Sequence, residues 1–230
     1  MTVTVVLGAS SGIGKAFVEY QESSDVLVLV SRREEVLEEL AEHTPVETLV
    51  VSGDATNPRF VKDLFSRVED EYGGYDCVVH YIGKGGEKPV RSYSYDKWKS
   101  LFAVNVDTVF TSFQRSRDVL EERDGVFVCI SSVAGLFSLP GWTPYCASKH
   151  AVTSFLRGVR RETNCTVGIL HPAKIQTPFF DKEQPEWQTI PPRLLVPVID
   201  SYIQGLWLKR QLARFSVFSE RVKRMVLQVI

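Results

Sequence analysis

The sequence predicts an α/β fold, a doubly wound parallel sheet of about seven strands with helices on both faces, as a single domain over residues 1–230. Two observations carry this prediction. Short β-branched apolar runs recur along the chain, and segments with helical periodicity lie between most of them. Such alternation favours parallel strands joined by right-handed helical crossovers. A chain of this length buries enough surface to fold without disulfides or metal.

The predicted strands are apolar runs that are too short for buried helices and that lack strict alternation. Runs of this kind are typical of strands covered on both faces. They occupy residues 3–7, 26–30, 49–51, 77–82, 126–130, 167–170 and 215–218.

Capping signals indicate where helices begin between these strands. Ser31 and Glu34 have the spacing of a capping box, which predicts that a helix starts there. Thr56 or Asn57 is placed to cap a later helix, because Pro58 suits a first helical turn. The first helix is expected over residues 15–22.

Two segments depart from this alternation. Residues 177–192 combine four prolines with two phenylalanines and a tryptophan, and are expected to form a substrate loop or lid. Residues 219–230 carry an apolar stripe opposite basic residues, which predicts a C-terminal helix. That helix packs on its own domain, forms a subunit interface or contacts a membrane surface, and the pattern leaves these three alternatives open.

Composition excludes several classes of function. The 27 basic and 28 acidic residues give a net charge of −1, which argues against a nucleic-acid-binding face. No apolar stretch approaches the roughly 18 residues that span a bilayer. No signal peptide precedes the first strand either, so we expect a cytoplasmic protein without integral membrane association. The four cysteines lack the spacing of metal ligands, so we expect no metal site, and the three that lie in or beside apolar runs are expected to be buried thiols.

A glycine-rich turn connects the first predicted strand to the first helix. The glycines let the backbone approach a pyrophosphate, while the amides and dipole of the helix N-terminus favour negative charge. This position between strand and helix predicts a Rossmann-type dinucleotide site, against the alternative of a tight turn without a ligand. The predicted contacts are Gly8, Ser10, Ser11, Gly12, Ile13 and Gly14.

The end of the second strand predicts which dinucleotide is bound. An acid usually stands there to bind ribose hydroxyls, but this chain has Ser31 followed by Arg32 and Arg33. Two guanidinium groups can pair with a 2′-phosphate, so we expect NADP(H) to be preferred over NAD(H). The alternative is that both arginines only begin a solvated helix. After the third strand, Asp54 with Ala55 is expected at the adenine, although Asp54 also suits loop and cap chemistry.

Ser132, Tyr145 and Lys149 form the candidate catalytic group. Tyr145 and Lys149 lie four residues apart in a helix-like stretch, which places them on one face. A neighbouring ammonium stabilises phenolate and lowers the tyrosine pKa from its usual value of about 10. Ser132 ends the fifth strand, where its hydroxyl can hold a substrate oxygen while Tyr145 moves a proton. The alternative for a lone tyrosine–lysine pair is a surface contact.

With these motifs the chain resembles the short-chain dehydrogenase/reductase family, in its shorter single-domain branch, over nearly its whole length. The resemblance rests on the glycine motif, Asp54, Asn105, Ser132 and the YxxxK pair of Tyr145 and Lys149. It implies that Tyr145 is the general acid/base, that Lys149 lowers its pKa and binds the nicotinamide ribose, and that Ser132 orients the reacting oxygen. It also implies that Asn105 holds a water in a proton relay.

The same resemblance implies further cofactor contacts and an assembly. Gly83 matches the glycine after the fourth strand, and Pro172, Ile175 and Thr177 match the segment that bonds the nicotinamide carboxamide. Relatives commonly form homodimers or homotetramers through their fourth and fifth helices. The chain departs from the family pattern at Leu7, His80, Tyr81, Ile82 and Ala173. We interpret His80 and Tyr81 as structural substitutions.

Apolar and aromatic side chains flank the expected substrate side, in residues 133–142 and 177–192. They favour a small apolar carbonyl compound or secondary alcohol as substrate. The first hypothesis is therefore an NADP(H)-dependent carbonyl reductase or alcohol dehydrogenase. The alternatives are a dinucleotide-binding regulatory or scaffold protein on the same fold, and a nucleotide-sugar epimerase or dehydratase. The YxxxK pair argues against the former and the short chain against the latter.

Overall fold

Within the described part of the computed structural model, six parallel strands form one sheet in the order β3-β2-β1-β4-β5-β6. The structure describes residues 1–173, 175 and 190–214, the last stretch from 206 onward as backbone alone. The strands are β1 (Val3–Leu7), β2 (Val26–Ser31), β3 (Glu47–Ser52), β4 (Cys77–His80), β5 (Val126–Ile130) and β6 (Thr166–Leu170). The strand order reverses between β1 and β4, which confirms the predicted doubly wound sheet.

Helices cover both faces of this sheet. They are α1 (Gly12–Tyr20), α2 (Glu34–His43), α3 (Pro58–Tyr72), α4 (Tyr95–Phe102), α5 (Thr108–Glu122), α6 (Thr143–Val159) and α7 (Val196–Arg214). Apolar side chains of α3, α5 and α6 share one core with Val5, whereas those of α1, α2 and α7 share a second core with Val6. Successive strand residues point to opposite faces, so every strand contributes to both cores.

The helix starts test the capping predictions. Asn57 caps α3, because its side-chain oxygen accepts the N–H of Arg59 at 3.0 Å. The predicted capping box at Ser31 is wrong: Ser31 still belongs to β2, and α2 begins at Glu34 after an Arg33 cap. The Ser31 hydroxyl instead accepts the N–H of Arg33 at 3.1 Å. Helix α1 begins at Gly12, inside the glycine turn and three residues before the predicted start.

Other sequence predictions have different outcomes. All four cysteines are buried and outside disulfides, which was expected for the three in or beside apolar runs. No helix among the described residues combines the length and apolar character that crossing a bilayer requires. The predicted strand at 215–218, the segment 176–189 and the predicted helix at 219–230 lie outside the described residues. Ile175 and Ile190, on either side of that internal segment, pair through an isolated parallel bridge.

The carboxyl ends of β1, β4, β5 and β6 are neighbours along one edge of the sheet. The loops that leave these ends therefore converge at the point where the strand order reverses. Ligands of open α/β sheets bind in the crevice at such a point. The candidate ligand-binding loops are therefore those that begin at Gly8, Tyr81, Ser131 and His171.

Candidate active site

A cleft of about 650 Å³ opens at this edge of the sheet. Most of the residues predicted to contact cofactor or substrate line it. They are Ser11, Gly12, Ile13, Gly14, Gly83, Ser132, Tyr145, Lys149, Pro172 and Ile175. The lining does not include Gly8, Ser10, Ser31, Arg32, Arg33, Asp54, Ala55 or Asn105. Gly8 and Asn105 nevertheless contact the lining residues Gly14 and Lys84. Thr177 lies outside the described residues.

Backbone conformation or lack of space favours glycine at three positions of the glycine turn. Gly8 and Gly12 have φ angles of +92° and +57°, in the left-handed region that favours glycine. A Cβ atom on Gly14 would lie 2.3 Å from the carbonyl oxygen of Gly8. The turn therefore brings bare backbone against the cleft, which is what the close approach of a pyrophosphate requires.

The N-terminus of α1 faces the same cleft without a side-chain cap. Ser11 occupies the cap position, but its side chain makes no capping hydrogen bond, and the first turn carries no acidic residue. By contrast, Asn57 and Ser94 cap α3 and α4 through their side chains. The uncapped amides and the helix dipole suit a negatively charged group, so this end of the cleft fits a dinucleotide.

The two arginines after β2 differ in their contacts. Arg33 reaches back to the glycine turn, where its guanidinium donates to the Ser10 carbonyl at 2.8 Å and to the Ser10 hydroxyl at 2.9 Å. Arg32 is exposed, close enough to Asp54 to contribute to a lowered pKa of that carboxyl. Arg33 thus does more than begin a solvated helix, because its guanidinium contacts the glycine turn.

Asp54 serves the loop after β3. One carboxylate oxygen accepts both the N–H and the hydroxyl of Thr56, each at 2.9 Å. The Thr56 N–H bond is the main cause of the lowered pKa of Asp54. Asp54 therefore stabilises its own loop, which was one of the two roles that the sequence allowed for it. Ala55 is buried in the core beneath this loop.

Tyr145 lies in the first turn of α6 and is almost fully buried, with 9% of its surface exposed. Its ring packs edge-on against Trp142 at a centroid distance of 5.7 Å. Burial raises the pKa of Tyr145 to about 12, and a hydrogen bond with Ser132 opposes that rise. The expected net lowering of this pKa is therefore wrong for the structure described, because desolvation of the phenolate outweighs the favourable contacts.

Lys149 follows one helical turn later on the same face of α6. Its ammonium lies 5.9 Å from the centre of the Tyr145 ring, so the predicted pairing on one helix face is confirmed. The ammonium donates to the Ile130 carbonyl at 3.2 Å, and burial lowers the pKa of Lys149. A Cβ atom on Gly83 would lie 3.4 Å from this nitrogen, so a glycine there keeps space beside the ammonium.

Ser132 begins the short 3₁₀ turn Val133–Gly135 directly after β5. Its hydroxyl oxygen accepts the Ala134 N–H at 3.1 Å, which fixes the side chain toward α6 and Tyr145. Behind it, the Ser131 hydroxyl lies 2.9 Å from that of Thr153, and Thr153 donates to the Lys149 carbonyl at 2.9 Å. These bonds join the end of β5 to α6, so Ser132 and Tyr145 keep a fixed relation.

Asn105 lies in a π-helical turn, Ala103–Asp107, between α4 and α5. It is fully buried, and its amide nitrogen donates to the Lys84 carbonyl at 2.8 Å and to the Ser148 hydroxyl at 2.9 Å. Its carbonyl oxygen accepts the Lys84 N–H at 2.8 Å. Asn105 thus ties the loop after β4 to the helix that carries Tyr145.

The two unusual residues at the end of β4 have packing roles. His80 is fully buried, and its Nε2 lies 3.1 Å from the Thr108 hydroxyl. Burial lowers the pKa of His80 to about 3, so its ring is neutral at ordinary pH. Tyr81 packs against Phe17 and lines the cleft beside Gly14. These contacts support the interpretation of both as structural substitutions.

Sequence reasoning missed two charged residues of the cleft. Lys84 and Glu87 line it between the glycine turn and the segment that carries Trp142. The signal was available, since both follow the carboxyl end of a strand at the ligand edge. Of the predicted apolar wall, Leu139 and Trp142 line the cleft, whereas Phe137 is 65% exposed.

Comparisons with known proteins agree with this architecture. A family model described as short chain dehydrogenase matches residues 2–188. An uncharacterized oxidoreductase of Staphylococcus aureus (strain USA300) is 30% identical over 181 residues, which cover 76% of this chain and 78% of the relative. An uncharacterized oxidoreductase of Staphylococcus epidermidis is 30% identical over 184 residues, or 78% of this chain and 80% of the relative.

Solved structures show the same fold. An alcohol dehydrogenase from the archaeon Thermococcus sibiricus, complexed with 5-hydroxy-NADP, superposes with a TM-score of 0.82 at 23% identity, covering 89% of this chain and 91% of that one. A short-chain dehydrogenase from Streptomyces avermitilis gives 0.78 at 25% identity, covering 86% and 83%. With the family model matching most of its length, the chain belongs to the short-chain dehydrogenase family of oxidoreductases.

Proposed function

We propose that this protein transfers a hydride between NADP(H) and a small carbonyl or secondary-alcohol substrate, with Tyr145 as the general acid/base. One observation carries the proposal. The Tyr145 hydroxyl is hydrogen-bonded to Ser132 and its ring lies 5.9 Å from the Lys149 ammonium, in a cleft that also contains the glycine turn. A proton donor, an oxygen-orienting hydroxyl and a dinucleotide cradle therefore share one space, as reduction of a carbonyl requires.

Each residue has a defined task in this proposal. In reduction, Tyr145 gives its hydroxyl proton to the carbonyl oxygen, while Ser132 donates a hydrogen bond to the same oxygen. Lys149 stabilises the resulting phenolate and binds the nicotinamide ribose, and Asn105 holds the relay that returns the proton. Bound NADPH supplies the hydride, and NADP⁺ accepts it in the reverse direction. The protein contributes alignment and the proton path.

The proposed cofactor site runs from the adenine to the nicotinamide. The backbone of Gly8, Gly12 and Gly14 and the α1 N-terminus hold the pyrophosphate. Ser10, Ser31, Arg32 and Arg33 bind the 2′-phosphate, while Asp54 and Ala55 flank the adenine. Gly83, Pro172 and Ile175 contact the nicotinamide end, where Thr177 stays a prediction. The 5-hydroxy-NADP in the Thermococcus sibiricus relative is consistent with this choice of cofactor.

Turnover with NADPH tests the function against the regulatory alternative. Purified protein is mixed with NADPH and a panel of ketones and aldehydes, and loss of NADPH absorbance is followed. NADPH binding is measured separately by fluorescence titration. We expect turnover that depends on Tyr145. Tight NADPH binding without turnover of any carbonyl compound would instead support a dinucleotide-binding regulatory protein.

The pH dependence follows from the pKa of Tyr145. Oxidation needs the phenolate, and burial raises the pKa of Tyr145 to about 12. Below that value the phenolate fraction grows about tenfold per pH unit, so alcohol oxidation should accelerate from about pH 6 to about pH 10. Reduction uses the neutral phenol, which predominates over this range, so its chemical step should stay nearly flat. A flat oxidation profile with chemistry rate-limiting contradicts the assignment.

Cofactor preference is tested at Arg32. Removal of a guanidinium that pairs with the 2′-phosphate should raise KM for NADPH about tenfold in the Arg32→Ala variant, with a much smaller change for NADH. Arg67→Ala is the control, since Arg67 pairs with Glu71 at 3.7 Å on the exposed side of α3. Steady-state KM values for NADPH and NADH, measured for wild type and both variants, test this preference. A wild-type preference for NADH would overturn the assignment of NADP(H).

We also propose that the protein is a cytoplasmic homodimer or homotetramer. Phe110 on α5 and Trp98 on α4 are large apolar side chains with 45% and 37% of their surface exposed. Exposed aromatic side chains are common at interfaces between subunits. Light scattering during size-exclusion chromatography gives the mass directly, and a monomer at micromolar concentration refutes this assembly.

A further inference from the structure

Lys84 has its backbone fixed beside the proposed reaction centre. Its N–H donates to the Asn105 side-chain oxygen at 2.8 Å, and its carbonyl accepts from the Asn105 amide nitrogen at 2.8 Å. Asn105 is itself bonded to Ser148 on α6 at 2.9 Å. Both backbone polar groups of Lys84 are therefore held by one buried side chain, which is anchored to the helix of Tyr145.

This anchoring places Lys84 on the wall of the cleft, while its ammonium bonds to Ser100 of α4, an exposed residue outside the lining. Lys84 is half-buried and lines the same cleft as Tyr145 and Trp142. Its neighbour Gly83 leaves only 3.4 Å between an added Cβ and the Lys149 ammonium, so Lys84 follows directly after a residue at the reaction centre. Its position depends on a strand end and a fixed amide rather than on a free loop.

The Lys84 ammonium lacks a carboxylate partner among the described residues. Its nitrogen donates to the Ser100 hydroxyl at 2.5 Å, and none of the ion pairs in the described part of the chain includes it. A hydrogen bond to a neutral hydroxyl is weaker than one between an ammonium and a carboxylate. An anionic group in the cleft would therefore be a better partner than Ser100, and the flexible four-carbon stem of Lys84 lets the ammonium turn from one to the other.

The other charges of the cleft limit which anion fits. Lys149 is assigned to Tyr145 and the cofactor ribose, so Lys84 is the remaining ammonium among the lining residues described. Glu87 lines the cleft next to Gly141, whose loop accepts the Lys88 N–H at 2.7 Å. Because Glu87 adds a negative charge to the same lining, a monoanion suits the cleft better than a doubly charged phosphate, which Glu87 would repel more strongly.

We infer that Lys84 is a specificity-determining residue that binds the carboxylate of an oxo acid or hydroxy acid substrate, an inference that rests on the proposed function. The apolar part of such a substrate would contact Leu139 and Trp142, which are apolar residues that line the same cleft. This narrows the apolar carbonyl compound expected from the sequence to one that also carries an acidic group.

A matched pair of substrates tests the inference. A series of oxo acids and their methyl esters is assayed with NADPH for wild type, Lys84→Met and Lys84→Arg. We expect the ratio of kcat/KM for acid over ester to fall about tenfold in Lys84→Met, mainly through KM, and to be largely restored by Lys84→Arg. Lys99→Met is the control, because Lys99 pairs with Asp96 at 3.0 Å on exposed α4.

Direct binding measurements distinguish the role of Lys84 in binding the acid from the proposed catalytic function. Calorimetric titration of the same acids and esters into the protein–NADP⁺ complex measures the contribution of Lys84 without turnover. An unchanged acid-to-ester ratio in Lys84→Met, in turnover and in binding, overturns the role of Lys84 while the proposed function stands. Acid binding that depends on Lys84 without any turnover supports the anion site and refutes the proposed function instead.

Discussion

Replacing Tyr145 by phenylalanine is expected to lower kcat for NADPH-dependent carbonyl reduction by at least about 10²-fold while NADPH binding is largely retained. The substitution removes only the hydroxyl. The ring keeps its edge-on contact with Trp142 at 5.7 Å and its place beside the Lys149 ammonium. Because the cofactor cradle is built by backbone on the other side of the cleft, its affinity should change little. Single-turnover decay of NADPH absorbance measures the effect.

We expect Tyr145→Phe to fold normally, so that its lower kcat reflects the missing hydroxyl. The hydroxyl contributes a hydrogen bond with Ser132, and such a bond adds only about 1 kcal/mol to stability. Tyr75→Phe is a matched control, since Tyr75 is fully buried on the α3 side of the sheet and its hydroxyl has only 3.5 Å contacts with Glu69 and the Arg115 carbonyl. Equal activity of wild type and Tyr145→Phe, or an equal drop in Tyr75→Phe, contradicts the assignment of Tyr145.

The strands were predictable because their signal is local and complete. The runs at 3–7 and 126–130 coincide with β1 and β5, since each consists, apart from Thr4, of apolar residues bounded by polar or glycine residues. The run at 77–82 is longer than β4, which ends at His80. Tyr81 still donates its N–H to the Leu7 carbonyl at 2.8 Å, but the chain then turns toward Gly83. An apolar side chain can therefore line a cleft as well as continue a strand.

The capping box failed because sheet pairing overrides a local helix signal. Ser31 pairs with Ser52 of β3, which keeps it in the extended conformation of β2. Its hydroxyl then accepts the N–H of Arg33 rather than that of Glu34, so the helix begins two residues later than the motif indicates. A four-residue pattern contains no information about a strand partner 21 residues further along the chain.

The location of the candidate site was predictable, but its electrostatics were not. Parallel strands bring their carboxyl ends to one edge, so the glycine turn and the Ser132 end of β5 had to meet. The spacing of Tyr145 and Lys149 reports that they are neighbours on a helix but says nothing about burial. Burial is what raises the pKa of Tyr145 to about 12, and it depends on the packing of several distant elements. The anchoring of Lys84 by Asn105 likewise joins segments that are separate in sequence.

Gly14→Ala should weaken NADPH binding by at least about tenfold and lower stability by about 1–3 kcal/mol. The added Cβ would lie 2.3 Å from the Gly8 carbonyl oxygen and 3.0 Å from its carbonyl carbon. Both are backbone atoms, so relief requires that the turn between β1 and α1 open. Opening would move the amides that face the cleft away from the pyrophosphate. Fluorescence titration of NADPH and thermal unfolding measure the two effects.

The same substitution at Gly158 is expected to change stability in the opposite direction. Among the described residues, no atom outside the adjoining backbone of α6 and the two chain neighbours lies within 4 Å of a Cβ on Gly158, which is in the last turn of α6. Alanine there should raise stability by up to about 1 kcal/mol, because it reduces the freedom of the unfolded chain, and NADPH binding should not change. Opposite shifts in Tm therefore distinguish steric conflict at Gly8 from a general effect of alanine. Wild-type NADPH affinity in Gly14→Ala would show that the turn does not hold the pyrophosphate.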